Sequence, residues 1–214
     1  MERPRLLELR IAADPAAWTA AGFAVDACGR CRVARTDVVL LGAGTGTGIA
    51  GWTLGGAIPA DDGIDGLRTE SVHGDDRPPA DPAAHANGAV AVDHVVVATP
   101  DLARTLEAFD AAGLELRRLR DAGTAERPLR QGFLLLADAL VEVVGPPENV
   151  DPPSADAARL WGVTFVVDDL DAAAAALGDA LGPVRDAVQP GRRIAAFRRE
   201  AGLGAPVALM TPRR

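Results

Sequence analysis

Three histidines, two cysteines and a large set of carboxylates are the groups here that could move protons or bind metal: His73, His85, His94, Cys28 and Cys31, beside 30 Asp and Glu. There is no Lys and no Tyr, and all 22 basic residues are Arg. A Schiff-base lysine and a tyrosine acid are therefore excluded. The two serines, Ser71 and Ser154, fall in loop-like stretches outside any G-x-S-x-G elbow, which argues against a serine hydrolase. What remains is acid–base or metal chemistry by imidazole, carboxylate and thiolate.

Two motifs invite a chemical reading, and their local context weakens both. Cys28-Gly29-Arg30-Cys31 is a C-x2-C pair, half of a zinc site or a redox pair. The sequence has no second such pair, no His at finger spacing, and no helix beginning at the first Cys. Gly29-Arg30 suits a tight turn between strands, with both thiols reduced. Residues 46–51 match G-x-G-x-x-G, but the following Gly51-Trp52-Thr53-Leu54-Gly55-Gly56 is not helical. A dinucleotide site needs a helix N-terminus at the pyrophosphate, so this segment reads as a flexible connector.

The elements that must position any site recur three times. Asp93–Ala98 is a short β-branched strand, and Thr99-Pro100-Asp101 starts a helix with Thr99 as N-cap and Pro100 as first helical residue. The helix carries Leu102, Leu106 and Phe109 as an apolar stripe and stops at Gly113. Strands at Leu114–Arg120, Arg130–Leu136 and Ala139–Val144 complete a βαβββ unit. Residues 161–212 repeat it: a strand at Trp161–Val167, a helix capped by Asp168-Asp169, then strands at Pro183–Val188, Arg192–Arg199 and Pro206–Met210. Residues 6–42 form a shorter copy: Leu6–Ile11, a helix opened by Asp14-Pro15 and closed by Gly22, then Phe23–Ala27, Arg30–Ala34 and Asp37–Leu41. The expected organisation is a short module with a Gly-rich extension at 1–56, including an extra strand at Ile49–Leu54. An irregular connection at 57–90, loosest at 74–88, leads to paired modules at 91–147 and 158–212. His73 and His85 fall in the connection and are expected to be solvated. Arg192, Arg193, Arg198 and Arg199 share one predicted strand, with Arg192 and Arg198 on one face. One pair could bind an anionic group of a substrate, or all four could be exposed and paired with the many acids.

With 48% hydrophobic residues in 214, the chain can bury a sizeable core. The net charge of −8 and the scatter of its arginines exclude nucleic acid as the main partner. No apolar run approaches the roughly 18 residues of a membrane span, and the N-terminus lacks a signal-peptide core, so a cytoplasmic location without membrane contact is expected.

The repeated βαβββ unit resembles the vicinal oxygen chelate superfamily, the glyoxalase, bleomycin-resistance and dioxygenase group. The opening Asp93-His94-Val95-Val96-Val97, followed by Pro100-Asp101-Leu102, is similar to that family's first strand. Val141-Glu142-Val143-Val144-Gly145-Pro146 is similar to its last. The resemblance implies an α+β fold of three βαβββ modules, the first shorter, whose mixed sheets form cups with helices on the convex face. A small molecule would bind in a cup between paired modules. The family's metal enzymes hold a divalent cation (Fe, Mn, Ni or Zn) by His on first strands and Glu on last strands. That role falls here on His94 and Glu142, with Glu142 also the candidate catalytic base if no metal binds. Gly162 and Ala208 stand at the matching places of 161–212, and Leu9 and Val39 at those of the first copy, so one paired cup would offer only two protein ligands. Pairing across a homodimer axis would supply two His and two Glu. Gln131, Phe133 and Leu135 would line the cup, and Gln131, Phe133, Arg192 and Arg198 are the candidate substrate-binding residues. Three functions follow: a lyase, epimerase or dioxygenase acting through metal, a metal-independent protein that sequesters a small molecule, or a degenerate scaffold acting through its dimer interface. The plain structural alternative for His94 and Glu142 is a half-buried His and an exposed strand Glu.

Overall fold

The computed structural model describes residues 3–56, 63–72, 84–147 and 155–213. The first repeat supplies β1 (Arg5–Ile11), α1 (Pro15–Ala20), β2 (Arg30–Val33) and β3 (Thr36–Leu40). Two strands follow, β4 (Ile49–Gly55) and β5 (Thr69–Val72). The second repeat is β6 (Ala89–Ala98), α2 (Leu102–Ala111), β7 (Leu116–Gly123), β8 (Pro128–Leu135) and β9 (Leu140–Gly145). The third is β10 (Arg159–Val167), α3 (Leu170–Leu177), β11 (Arg185–Asp186), β12 (Arg193–Ala196) and β13 (Val207–Met210). The fold is α+β, and the second and third repeats are complete βαβββ units.

The strands form two mixed sheets, ordered β2-β3-β1-β4-β5 and β11-β12-β13-β10-β6-β9-β8-β7. In every repeat the first strand pairs in parallel with the last. Glu8 lies opposite Asp37, Val96 opposite Glu142, and Thr164 opposite Ala208. The remaining pairs within each repeat are antiparallel. Among the described residues no helix is long and apolar enough to cross a membrane.

Helix starts follow side-chain capping. The Asp14 carboxylate accepts from the Ala16 N–H, with Pro15 in the first turn, and Asp169 accepts from Asp171 and Ala172. At α2 the cap is Asp101, which accepts from the Arg104 N–H, and not Thr99 as expected. The Thr99 hydroxyl instead accepts from the Asp101 N–H at 3.0 Å, which positions the cap residue and moves the helix start two residues on.

Two compact units divide the chain, and the division passes through β1, β4, β6 and β10. The first comprises Met1–Leu7, Gly51–Asp76 and His94–Trp161. Its core includes Trp52, whose ring meets Phe109 of α2 edge-on at 6.2 Å and whose indole N–H bonds the Thr69 hydroxyl at 2.7 Å. Arg104 and Thr105 of α2 both bind the Asp65 carboxylate, which ties the 63–67 turn to the helix.

The second unit comprises Glu8–Ala50, Arg77–Asp93 and Gly162–Arg214. Trp18, Phe23 and Phe165 form its aromatic centre, all essentially buried, with Phe23 at 4.7 Å from Trp18 and 5.1 Å from Phe165. The strand expected at Phe23–Ala27 is absent. The Ala24 N–H donates to His85, and the Asp26 carboxylate accepts from the N–H groups of Cys28 and Arg30, so these backbone groups serve a turn and not a ladder. That turn carries the C-x2-C pair: Cys28 is exposed, and Cys31 is a buried free thiol that burial pushes up to about 12.

The expected irregular connection is more ordered than its composition suggests. It contains β5, parallel to β4, and residues 84–88 are anchored in the second unit. Asn87 bonds the Ala21 carbonyl, and Gly22 (φ 82°) lies so close that a Cβ there would meet Asn87 at 2.9 Å. His73, Ser154 and 73–83 lie outside the described residues. His85 corrects the expectation of a solvated ring. It is buried, its Nδ1 accepts from the Ala24 N–H at 2.9 Å, and its Nε2 lies 3.0 Å from the Arg32 carbonyl. Those partners require a neutral ring protonated on Nε2. Burial holds its pKa below the usual value, against an opposing effect of the Arg32 carbonyl. The unfolded ring takes up its proton near pH 6.5, before the folded ring does. His85 therefore contributes its full stability above about pH 6.5 and loses it as pH falls toward the lower folded value. Urea denaturation at pH 7.5 and 5.5 should show a larger acid loss for the wild type than for His85→Gln; equal losses would contradict this tautomer and its partners.

Candidate functional site

Alternation along β6, β8 and β9 builds a two-faced surface in the first unit. Val95, Val97, Val141, Val143 and Leu134 are fully buried. His94, Val96, Ala98, Glu142, Gln131, Phe133 and Leu135, on the opposite parity, are half-buried. Helix α2 covers the first face. A Cβ on Gly132 would lie 2.9 Å from the Leu106 side chain, and one on Gly145 would meet Leu102. His94, Glu142, Gln131 and Phe133 therefore share the face that α2 does not cover.

Register brings them together. Glu142 is opposite Val96 of β6 on one side and Phe133 of β8 on the other. Glu142 Oε2 lies 3.7 Å from His94 Nε2, an ion-pair distance beyond hydrogen-bond reach. Glu142 Oε1 accepts from the Gln131 Nε2–H at 2.5 Å. The Gln131 carbonyl in turn accepts from the Arg120 guanidinium on β7. Arg120 has no acceptor, so it fixes which end of the Gln131 amide faces each partner. The result is a polar line from Arg120 through Gln131 to Glu142, with His94 beyond. The Arg120 guanidinium also lies 5.9 Å from the centre of the Phe133 ring. Its Nε is buried without a hydrogen-bond partner among the described residues, an omission that costs about 1–3 kcal/mol in typical cases.

Arg120 was not among the residues singled out from sequence. The stretch Leu116–Gly123 is almost entirely exposed and shows no apolar alternation. The role of Arg120 emerges only from its pairing with Gln131 across the β7–β8 hairpin.

The other two candidates belong to the second unit. Arg192 precedes β12 and is buried, bonding Asp93 at 2.7 Å, the Thr211 carbonyl at 2.8 Å and the Gln189 side chain at 2.5 Å. With both charged partners almost fully buried, this is an internal anchor of the chain end. Arg198 is exposed and leads into a 3-10 turn at Arg199–Ala201. The long strand expected at Arg192–Arg199 is thus cut at both ends, and the two residues do not share one strand face.

The first repeat also differs from expectation. Leu9 points into the core, and the half-buried parity of β1 belongs to Glu8 and Arg10. With Asp37, Arg30 and Arg32 they form an ion-pair cluster: Arg32 grips Asp37 with two bonds of 2.7 and 3.0 Å, and Arg30 reaches it at 2.6 Å. Burial pushes the Asp37 carboxyl up, but hydrogen bonds from Arg32 and Arg30 outweigh it and hold it below the usual range.

The donor set does not fit a resident divalent metal. His94 and Glu142 are two donors, where catalytic sites usually have three protein ligands. No group of three or more His, Cys, Asp or Glu suited to a metal occurs among the described residues.

Compared with solved structures, the chain is similar to a mutant of 4-hydroxymandelate synthase from Streptomyces coelicolor. The match has a TM-score of 0.65 at 18% identity and covers 98% of this chain and 93% of that one. The chain has the vicinal oxygen chelate fold. Methylmalonyl-CoA epimerases match a smaller part. The Mycobacterium tuberculosis protein gives a TM-score of 0.48 at 20% identity over 62% of this chain and 94% of its own. The Streptomyces coelicolor one gives 0.46 at 20% over 59% and 99%. No protein-family model and no curated protein matches the sequence. At these identities the likeness concerns the vicinal oxygen chelate fold alone and transfers no residue role.

Elemental analysis of the untagged protein should find well under one equivalent of Fe, Mn, Ni or Zn per chain. One equivalent, lost in both His94→Ala and Glu142→Ala, would overturn this and require further donors, such as those of a second chain.

Proposed function

We propose that this chain acts on a small molecule by proton transfer at Glu142, at a site on the uncovered face of β6, β9 and β8. The observation that carries the reading is a carboxylate oriented by Gln131 and facing an imidazole 3.7 Å away. A carboxylate fixed in one orientation is suited to take a proton from a carbon acid beside a carbonyl. His94, at the other carboxylate oxygen, is placed to return a proton or to donate a hydrogen bond to the developing enolate oxygen. Phe133 offers an apolar surface between Gln131 and Leu135 for the carbon skeleton. The chemistry is that of an epimerase, isomerase or lyase, and it uses only groups of this chain. The fold shared with 4-hydroxymandelate synthase is compatible with small-molecule catalysis and adds no residue assignment.

The alternative is a protein that binds a small molecule on the same face without converting it. The incomplete metal donor set favours it over the metal enzymes of the resemblance. Wild type, Glu142→Gln and His94→Gln should be incubated in D2O with a panel of short 2-oxo acids and their methyl esters, with C–H exchange followed by NMR. Protein-dependent exchange is expected for at least one compound, falling about 10²–10⁴-fold in Glu142→Gln. Binding without exchange in the wild type would favour sequestration, and undiminished exchange in Glu142→Gln would remove Glu142 as the base.

A further inference from the structure

On the uncovered face of the first unit, β7 contributes two guanidinium groups to one side of the Glu142 site. Arg118 is opposite Phe133 and Arg120 opposite Gln131, so both share the parity of the site residues. Arg118 is exposed and makes no side-chain hydrogen bond or ion pair with another described residue. Arg120 is half-buried and bound to the neutral Gln131 amide, and its Nε has no hydrogen-bond partner among the described residues. Their neighbours on the same strand are otherwise engaged: Arg117 lies 3.8 Å from Glu115, and Asp121 pairs with Arg130 at 3.0 Å. Neither pair supplies an anion to Arg118 or Arg120.

Resting on the reading of Glu142 as the base, we propose that Arg118 and Arg120 form the anion subsite of that site and that the substrate is a small organic monocarboxylate. The ladder Arg118–Phe133–Glu142 sets the geometry. Two strand spacings separate the backbone positions of Arg118 and Glu142, about 10 Å. An arginine side chain spans much of that distance. With the Arg120 guanidinium 5.9 Å from the Phe133 ring centre, the rest of the span along the ladder to Glu142 suits a skeleton of a few carbons, with its carboxylate at the guanidinium groups and its acidic carbon at Glu142. Charge selects the monoanion. Arg118 and Arg120 bring two positive charges to this side of the site, which hold a carboxylate monoanion, whereas a phosphate dianion would set a second negative charge near the Glu142 carboxylate. A guanidinium fork also matches the planar carboxylate.

The test uses the full chain and NMR titration with 2-oxobutyrate, its methyl ester and inorganic phosphate, on wild type, Arg118→Gln, Arg120→Lys and Glu142→Gln. Arg118 is exposed and makes no hydrogen bond to Gln131, which is bound by Arg120 and Glu142, so Arg118→Gln isolates anion binding from the orientation of Glu142. Arg120→Lys keeps the charge and loses the fork. The expected result is wild-type binding of 2-oxobutyrate, more weakly of phosphate, with affinity for 2-oxobutyrate down about tenfold or more in Arg118→Gln. The ester should bind both proteins alike. Unchanged 2-oxobutyrate affinity in Arg118→Gln and Arg120→Lys, no 2-oxobutyrate binding to the wild type, or phosphate binding as tightly as 2-oxobutyrate would each overturn the subsite. Glu142→Gln separates the two readings. If it exchanges normally while the arginine variants bind poorly, the base assignment fails and the anion subsite stands. If it binds but does not exchange while the arginine variants bind normally, the subsite fails and the base stands.

Discussion

Because successive side chains leave a strand on opposite sides, covering one face of a sheet decides what stands on the other. In the second repeat, α2 covers the face of Val95, Val97, Val141, Val143 and Leu134, all with essentially no exposed surface. Burying such side chains contributes roughly 1.5–3 kcal/mol each. A slip of one residue in β6 or β9 would send valines out and His94 or Glu142 into the helix interface, where an unpaired charge is costly. The apolar core thus holds the register that places His94 and Glu142 together. Gly132 and Gly145 belong to the same constraint, since a Cβ at either would press on α2. The site therefore needs no separate scaffold: its residues are the remaining half of a pattern that packing enforces.

The three repeats show how one frame carries different polar loads. Each closes by the same parallel pairing of first and last strand. In the second repeat that pairing presents His94 and Glu142. In the first it presents Glu8 beside Asp37, and arginines from β1 and β2 bind both acids. In the third, Ala208 of β13 lies opposite Thr164, which is buried. Shared topology therefore says where a polar group can stand and leaves open what it does.

Much of this was legible because it depends on local periodicity. The strands of the second repeat, the caps at Asp14 and Asp169, and the common face of His94, Glu142, Gln131 and Phe133 all follow from residue type and spacing. What escaped depends on distant partners. Phe23–Ala27 has the composition of a strand, but His85, 61 residues on, takes the Ala24 N–H. His85 itself lies among Asp, Pro and Gly, where composition suggests solvent. Arg192 has the alternation of a surface strand residue, and its bonds to Asp93, 99 residues away, and to the Thr211 carbonyl and Gln189 turn it inward. Arg120 sits in an exposed stretch whose meaning comes from the strand across the hairpin.

Two acidic residues in equivalent strands show how environment separates structure from chemistry. Asp37 receives guanidinium groups directly on both oxygens, and its charge is committed to holding β2 against β3. At Glu142 the Arg120 guanidinium acts through an intervening amide, and the bond to Oε1 comes from neutral Gln131. A direct bidentate pair fixes a carboxylate by neutralising it, whereas an amide fixes it and transmits only a dipole. Replacing Gln131 by an arginine would convert the second arrangement into the first. The amide is thus a feature that orients Glu142 without itself neutralising the carboxylate, and the line from β7 to β6 passes through a neutral side chain.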